Sequence, residues 1–325
     1  ERSRVRLHGA VVRFAGDSGD GMQLTGDRFA AESAVVGNDL ATLPDFPAEI
    51  RAPAGTLAGV SSFQLHFSAR DIHTPGDAPD VLVAMNPAAL MKHLGALKSG
   101  GTLIINSDAF TDRNLQKAGY ESNPLEDDTL LDYTIHEVAL TDMTLRSVED
   151  MIEAGKLNKK EAERSKNMFA LGLVSWMFGR PIGETEEWLE GKFDKRPVLV
   201  EANVRALRAG RNFGETTETF HYTYEIPPAT LAPGRYRSIN GNQAIAYGLI
   251  AASVQSGLPL FYGSYPITPA SEILHELSRQ KHFGVRTFQA EDEIAAIGSA
   301  IGASFGGHLA VTGTSGPGAA LKGEA

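Results

Sequence analysis

The chain has 325 residues, of which 42% are hydrophobic, so it is long enough for two domains of ordinary size with buried cores. Its formal net charge is −10 and its basic residues form no long run, which argues against nucleic acid as a partner. Cysteine is absent, and this excludes disulfides, thiolate nucleophiles and any iron–sulfur cluster ligated by this chain. No secretory signal or membrane-spanning stretch is visible, so we expect a cytoplasmic protein that is not bound to a membrane.

The first predicted unit is a strand over residues 11–15, a glycine-rich turn over residues 16–21 and a helix that begins near Met22. This order opens many nucleotide-binding α/β domains. The glycines at 16, 19 and 21 nevertheless match neither the dinucleotide spacing nor a Walker loop, and Asp17 and Asp20 would repel a phosphate unless they point away. The turn is therefore either a weak phosphate cradle or a tight turn that needs the backbone freedom of glycine.

A second predicted unit alternates strand, helix and strand. Residues 79–85 form the first strand, Asn86 caps a helix that has Pro87 at its first position, and residues 102–106 form the next strand. Such a βαβ pattern requires a parallel sheet with a right-handed crossover. Residues 60–67, which lie between the two units, alternate in polarity and are predicted as a further strand.

The remaining sequence predicts a helical region, a linker and a second α/β region. Residues 111–133 are polar and should be rich in loops, and the Thr- and Pro-containing segment 215–235 should link two domains, residues 1–214 and 236–325. Helices are predicted over residues 156–164, from 167 onward, and over 188–193, 197–211, 243–254, 270–281 and 293–305. Strands are predicted over residues 258–262, 285–288 and 309–313. The chain begins without Met and stops where a helix is predicted to start, so we expect a fragment of a longer protein.

The segment Tyr265-Pro266-Ile267-Thr268-Pro269 follows an apolar strand and should hold Thr268 extended, because each proline restricts itself and the residue before it. Glu293 follows about one strand–helix unit later, at the start of a helix of small apolar residues. A fixed hydroxyl and a carboxylate in an apolar wall suit a site that steers protons on a bound heterocycle. From these residues alone, an ordinary proline turn and an acidic helix start remain the alternative.

Three motifs, in this order, resemble the pyrimidine-binding domain of the 2-oxoacid:ferredoxin oxidoreductases, which are thiamine-diphosphate, iron–sulfur enzymes. The motifs are the 265–269 segment, residues 289–297 (Gln-Ala-Glu-Asp-Glu-Ile-Ala-Ala-Ile), and residues 314–318 (Thr-Ser-Gly-Pro-Gly). The resemblance is closest to the 2-oxoglutarate enzymes, because of residues 290–293 and the pair Leu321-Lys322.

The N-terminal block resembles the γ domain of the same family. The shared features are the glycine turn, Glu49-Ile50-Arg51, the Asn86-Pro87 helix with Gly100-Gly101, and residues 167–172. It departs from the family at Gly19-Asp20, where a glycine–glutamine pair is usual, and this puts ligand contacts there in doubt. The chain is thus similar to an α subunit with a fused γ domain: a γ domain with a largely parallel sheet, then the first part of a pyrimidine-binding α/β domain.

The resemblance implies an enzyme that decarboxylates a 2-oxoacid oxidatively to an acyl-CoA and passes the electrons to ferredoxin. Thiamine diphosphate would be shared with a β subunit, coenzyme A would be a co-substrate, and Mg²⁺ and a [4Fe-4S] cluster would lie on the β subunit. Ferredoxin would dock through β, in an (αβ)₂ assembly. The alternatives are a pyruvate or branched-chain oxoacid enzyme, or a non-catalytic module that binds CoA or a nucleotide.

The resemblance also assigns roles to single residues in the second domain. Glu293 would be the catalytic carboxylate at the thiamine pyrimidine, and Tyr265, Pro266 and Ile267 would contact the cofactor. Thr268 would contact the oxoacid. Glycines at 298, 302 and 306 form one helix face that suits a tightly packed subunit interface.

Four further residues complete the expected sites. Thr314 and Ser315 would line the cavity that holds the oxoacid. Arg51 would pair with a phosphate or carboxylate of coenzyme A, with a surface salt bridge as the alternative. Lys322 is either an exposed lysine or a partner for a substrate carboxylate. The nine histidines show no ligand spacing, so no metal site is expected on this chain.

Overall fold

The computed structural model describes residues 3–47 and 52–325. The strands are β1 Ser3–Arg6, β2 Gly9–Asp17, β3 Asp39–Asp45, β4 Val60–Ser68, β5 Val81–Ala84, β6 Thr102–Asn106, β7 Thr134–Val138, β8 Tyr222–Glu225, β9 Leu260–Ser264, β10 Arg286–Gln289 and β11 Leu309–Val311. The α-helices are α1 Met22–Val35, α2 Pro87–His93, α3 Asp112–Ala118, α4 Leu140–Ser147, α5 Glu149–Glu153, α6 Lys159–Glu163, α7 Lys166–Met177, α8 Gly183–Lys192, α9 Pro197–Thr216, α10 Gly241–Ser256, α11 Ser271–Arg279, α12 Glu293–Phe305 and α13 Gly318–Leu321. Within the described ranges, no helix combines the length and the apolar character needed to cross a membrane.

The chain divides into two compact units, residues 1–233 and 234–325. The predicted linker over residues 215–235 is only partly irregular, because α9 ends at Thr216 and β8 pairs in parallel with β1. The residues of β8 (Tyr222, Thr223 and Tyr224) favour a strand. The strand was not predicted because the threonines and prolines around it indicated a linker. The first unit therefore extends beyond residue 214 and includes most of the predicted linker.

The main sheet of the first unit has the strand order β3-β4-β2-β5-β6-β7. Strands β2, β5, β6 and β7 run parallel, whereas β4 is antiparallel to both β2 and β3. The predicted βαβ unit is confirmed, and the Asn86 side chain caps α2 by accepting a hydrogen bond from the Ala89 amide at 2.8 Å. The α/β class with a largely parallel sheet is confirmed, whereas β3 and β7 were not predicted.

Alternate residues of the central strands enter two separate cores, as expected when helices cover both faces of a sheet. Val81 and Val83 contribute to a core with the aromatic residues of β2, α1 and β4, whereas Leu82 and Ala84 face a core built with α2 and α3. In the aromatic core, the Phe29 ring meets those of Phe14 and Phe67 edge to face, at centroid distances of 5.8 and 5.4 Å.

A carboxylate lies inside this first core. Glu32 of α1 is fully buried and accepts hydrogen bonds from Ser175 Oγ at 2.5 Å and Thr185 Oγ1 at 2.7 Å. Burial raises the pKa of Glu32 to about 7, against the lowering effect of the two hydroxyls, Arg211 and Arg28. Arg180 is buried beside the Phe67 ring, and burial lowers its pKa to about 10, although Glu32 raises it. The neutral form of this carboxyl group therefore persists to a higher pH than that of an exposed glutamate.

The second unit is a parallel sheet with the order β10-β9-β11. The first strand in sequence, β9, therefore lies in the middle; α11 connects it to β10, and α12 connects β10 to β11 on the other side of β9. The helix predicted over residues 293–305 is confirmed with these bounds, and the other predicted elements of this unit differ only at their ends. Because the strands are parallel, the segments that follow them collect at one edge of the sheet.

Candidate active site

The carboxyl edge of the β10-β9-β11 sheet brings together three of the predicted site residues. Tyr265 follows the middle strand β9, Glu293 opens α12 after β10, and Thr314 follows β11. The Tyr265 hydroxyl and Thr314 Oγ1 lie 2.7 Å apart in a hydrogen bond, and the same hydroxyl interacts with the Glu293 carboxylate. Ligands of open α/β sheets bind at such an edge, so this cluster is the candidate active site.

Tyr265 is the centre of the cluster and is only 5% exposed. Burial raises the pKa of its hydroxyl; the Thr314 hydrogen bond lowers it, and the hydrogen bond and charge of Glu293 raise it again. The ring packs with Ala290 and Ala296, small residues that flank the start of α12. Tyr265 therefore remains a neutral donor and acceptor between a hydroxyl and a carboxylate.

Glu293 is half-buried at the first position of α12, but it does not cap the helix. The exposed Asp292 does so, because its Oδ1 accepts a hydrogen bond from the Ala295 amide at 2.8 Å. The neighbouring acid thus satisfies the helix terminus, and the Glu293 carboxylate is available to other groups. This division of roles agrees with the prediction that Glu293, and not Asp292, carries the chemistry, a role that stays a prediction.

Gly318 closes the cluster and was not singled out from the sequence. A Cβ atom at this position would lie 2.7 Å from the Tyr265 hydroxyl and 3.0 Å from Glu293 Cγ, and closer still to Thr314 Oγ1. Any side chain larger than hydrogen would therefore overlap all three site residues. The last glycine of residues 314–318 is required by close packing.

Lys322 adds a cation to this edge of the sheet. Its Nζ donates hydrogen bonds to Thr312 Oγ1 at 2.6 Å and to the Gly313 carbonyl at 2.9 Å, and lies 5.6 Å from the centroid of the Tyr265 ring. Burial lowers the pKa of Lys322, and the nearby Glu293 carboxylate raises it. The ammonium is thus fixed in the site and is not a freely moving surface group.

Thr268 and Ser315 lie in the segments that form this edge, but their side chains do not join the cluster. The Thr268 side chain is exposed, and the peptide bond between Thr268 and Pro269 is cis. The turn is held instead by Ser271, whose hydroxyl accepts from the Ile267 amide at 2.8 Å. The half-buried Ser315 contributes its carbonyl, which accepts from the Gly318 amide at 3.1 Å. Both remain predicted contacts of the oxoacid.

The face of α12 that carries the predicted glycine pattern is open. Gly298 and Gly302 have no described atom within 4 Å of where a Cβ would lie. Large apolar side chains are exposed on the same helix, and Phe305 is 97% exposed. Such a surface is uncommon on a protein that acts alone and is typical of an interaction site.

The glycine turn of the first unit forms a second candidate site. Gly21 has φ of 74°, and a Cβ there would lie 2.6 Å from Asn167 Nδ2, so the turn needs glycine and contacts the start of α7. Asp20 pairs with Lys166 at 2.8 Å, and Asp17 accepts from the Gly55 amide at 3.0 Å, so both acids are occupied by protein groups. They line a cleft of about 530 Å³ whose basic residues are Lys160, Arg164 and Lys166.

One expectation on this unit falls on residues that the structure does not describe. Glu49-Ile50-Arg51, including the predicted ligand of coenzyme A, lies outside the described residues. Among residues 3–47 and 52–325, no three His, Asp or Glu side chains are grouped as a metal site would require.

Comparison with known proteins extends the resemblance to the whole chain. It is 62% identical over 322 residues to the 2-oxoglutarate oxidoreductase subunit KorA of Mycobacterium tuberculosis, covering 99% of this chain and 49% of the relative. It is 48% identical over 87 residues to the ketoisovalerate oxidoreductase subunit VorB of Methanothermobacter marburgensis, covering 26% of this chain and 23% of VorB. The chain thus spans at most about half the length of these relatives.

A solved structure agrees with the sequence comparison. The 2-oxoglutarate:ferredoxin oxidoreductase of Magnetococcus marinus, which has 2-oxoglutarate, coenzyme A and succinyl-CoA bound, matches with a TM-score of 0.67 and 28% identity. The match covers 97% of this chain and 49% of that one. The fold of both units is therefore shared with a 2-oxoglutarate:ferredoxin oxidoreductase.

The family is identified by two further matches. Residues 11–213 match the pyruvate ferredoxin/flavodoxin oxidoreductase family, and residues 252–325 match the thiamine-diphosphate-binding domain of pyruvate flavodoxin/ferredoxin oxidoreductases. The second range contains Tyr265, Glu293 and Thr314. The motifs and the matches agree, and the chain belongs to the pyruvate ferredoxin/flavodoxin oxidoreductase family.

Proposed function

We propose that this chain is part of the α subunit of a 2-oxoglutarate:ferredoxin oxidoreductase. The reaction is the oxidative decarboxylation of 2-oxoglutarate with coenzyme A to succinyl-CoA and carbon dioxide, with two electrons leaving to ferredoxin. The observation that carries this proposal is the 62% identity to KorA over 322 residues. Identity of that level through both units is stronger evidence than a match confined to the thiamine-binding segment.

The domain roles follow the same proposal. Residues 1–214 would be the γ domain, residues 215–235 a connection whose strand β8 pairs with β1 of that domain, and residues 236–325 the first part of the pyrimidine-binding domain. The second assignment is supported by the thiamine-diphosphate-binding family match over residues 252–325.

The side chains of the candidate active site fit the aminopyrimidine half of thiamine diphosphate. A half-buried carboxylate, a buried tyrosine hydroxyl and a threonine hydroxyl provide acceptors and donors next to small apolar residues. When bound, thiamine diphosphate supplies the carbanion that the decarboxylation requires. Glu293 would hold a proton against the ring nitrogen N1′, while Tyr265, Pro266 and Ile267 would shape the wall on which the ring rests.

The other site residues would position the catalytic carboxylate and the oxoacid. Tyr265 would restrain the Glu293 carboxylate, which raises the pKa of the tyrosine hydroxyl, and Thr314 fixes that hydroxyl from the other side at 2.7 Å. Thr268, which is exposed at the edge of the site, and Ser315 would donate hydrogen bonds to the oxoacid. Positioning of this kind contributes to catalysis because it replaces the mobile solvent with fixed donors and acceptors.

Electron transfer would need a partner, because this chain has no cysteine to bind a cluster. A cytoplasmic β subunit would carry the [4Fe-4S] cluster, Mg²⁺ and the pyrophosphate site, and would pass electrons to ferredoxin within an (αβ)₂ assembly. The open, apolar face of α12 supports such an arrangement, since it begins at Glu293 and would place a partner next to the carboxylate.

Coenzyme A would be handled by the first unit. The cleft beside the glycine turn contains three basic side chains, and three acidic ones balance their charge. The resemblance assigns the phosphate contact of coenzyme A to Arg51. Replacing Arg51 with Ala should raise the KM for coenzyme A about tenfold, the effect of losing ~1.4 kcal/mol of binding. An unchanged KM for coenzyme A would remove Arg51 from the proposed site.

A branched-chain oxoacid enzyme is the second candidate, because a ketoisovalerate oxidoreductase subunit is 48% identical over 87 residues. The deciding experiment is a substrate panel with the assembled α and β subunits. We expect a brown protein that reduces ferredoxin with 2-oxoglutarate and coenzyme A, and an α subunit that is colourless and inactive alone. Preferred turnover of 2-oxoisovalerate would favour the second candidate, and no turnover of any oxoacid would refute both.

A further inference from the structure

Lys322 is a fixed cation without a carboxylate partner at ion-pair distance among the described residues. Three other lysines do have such a partner: Lys92, Lys98 and Lys166 each lie within 3.3 Å of an aspartate oxygen. The Lys322 ammonium donates two of its three hydrogens to Thr312 and Gly313. One N–H donor and the positive charge remain available to another group. A half-buried, oriented cation of this kind is suited to an anionic ligand.

The hydrogen bonds of Lys322 show at which edge of the sheet its charge lies. Two other basic residues of this unit belong to the amino edge: Arg286 opens β10, and His308 precedes β11. Lys322, in contrast, is bonded to the residues that directly follow β11, beside Tyr265. Its charge is therefore directed to the same edge as the candidate active site.

We propose that Lys322 binds the distal carboxylate of a dicarboxylic 2-oxoacid and so determines the substrate class of the site. This inference rests on the proposed oxoacid activity. The Lys322 ammonium lies beside the Tyr265 ring, whereas Thr314 and Glu293 interact with the Tyr265 hydroxyl. A substrate at this edge of the sheet would therefore meet both a cation and the proposed catalytic acid.

The change of charge during the reaction makes the distal carboxylate a better partner for Lys322 than the carboxylate next to the keto group. The carboxylate next to the keto group loses its charge as it leaves as carbon dioxide, so a cation bound to it would stabilise the starting state more than the transition state. The distal carboxylate keeps its charge throughout. A fixed ammonium there contributes binding and selectivity without opposing the bond cleavage.

A structural role for Lys322 makes a different prediction. Its bonds to Thr312 and Gly313 could serve only to hold the turn after β11, and their loss would then impair all substrates alike. The test is a comparison of two acids of equal chain length, 2-oxoglutarate and 2-oxopentanoate, which differ in the distal carboxylate. Both would be assayed with the assembled enzyme carrying Lys322→Met, Lys322→Arg or, as a charge-matched control, Lys281→Met.

We expect Lys322→Met to raise the KM for 2-oxoglutarate at least tenfold and to change that for 2-oxopentanoate less than twofold, with kcat nearly kept. Lys322→Arg should retain most of the preference, and Lys281→Met should behave as the wild type. Equal losses on both acids, or an unchanged KM for 2-oxoglutarate, would overturn the inference and leave the oxoacid activity intact. If the wild-type enzyme turned over neither acid, the proposed function itself would fail, and this inference with it.

Discussion

Replacing Gly318 with Ala is the most direct test of the candidate active site. The new Cβ would lie 2.7 Å from the Tyr265 hydroxyl and 3.0 Å from Glu293 Cγ. Side-chain carbons in ordinary contact lie at least 3.4 Å from such atoms, so these groups must move apart by several tenths of an ångström. Thr314, which is closer still, must rotate away and give up its 2.7 Å hydrogen bond to Tyr265.

The expected effect on activity is larger than that on stability. Overpacking costs about 1–3 kcal/mol, and the better helix propensity of Ala offsets up to about 1 kcal/mol of it, so the net loss of stability should be ~1–2 kcal/mol. Misplacing a catalytic group by a fraction of an ångström to about 1 Å can cost about 100-fold in rate. We therefore expect kcat to fall about 100-fold in an enzyme that remains folded.

The assay is ferredoxin reduction by the assembled enzyme at saturating 2-oxoglutarate, together with the thermal midpoint. Gly323→Ala is the matched control, because Gly323 lies five residues away and a Cβ there would contact no described atom within 4 Å. It should leave both quantities unchanged. A Gly318→Ala enzyme with wild-type kcat would show that the packing of Tyr265, Thr314 and Glu293 has no part in the reaction.

Three other substitutions test separate elements of the molecule. Glu293→Gln should lower kcat at least 100-fold with little change in thermal midpoint, and near-wild-type turnover would remove the carboxylate from its catalytic role. Thr268→Val should lower turnover without lowering the thermal midpoint, because the side chain is exposed; a stability loss with unchanged turnover would make it a structural residue. Since the pKa of Glu32 is raised from 4.5 to about 7, its contribution to stability is complete below pH 4.5 and is lost as the pH rises to 7. The free energy of unfolding should thus drop by about 2–3 kcal/mol more between pH 5 and pH 8 in the wild type than in Glu32→Gln, and equal drops in urea titrations would contradict this.

Local sequence signals were sufficient for the elements of the second unit. An acid followed by small apolar residues predicted α12 with its observed bounds, and the apolar runs predicted its strands to within a few residues. The association of Tyr265 with Thr314 could not be predicted in this way. This contact requires β9 to lie between β10 and β11, and the spacing of residues along the sequence does not reveal which strands pair.

Other features were missed because distant residues determine them. Glu32 lies on a helix where a charged residue would be expected at the surface, and it is buried because Ser175 and Thr185, more than 140 positions away, provide its hydrogen bonds. The role of Gly318 depends on how the chain turns back after β11. Strand β8 was missed for the same reason, because it pairs with β1 at the other end of the unit.

The central position of β9 also sets the width of the active site. Neighbouring strands are about 4.8 Å apart, so the segments that follow β10 and β11 start about 10 Å from each other. Tyr265 extends from the strand between them and reaches a group on each side. The backbone hydrogen bonds of the sheet therefore set the distance between the segments that follow β10 and β11. A change that loosens the pairing of β9 would alter the width of the site while every residue that lines it stayed the same.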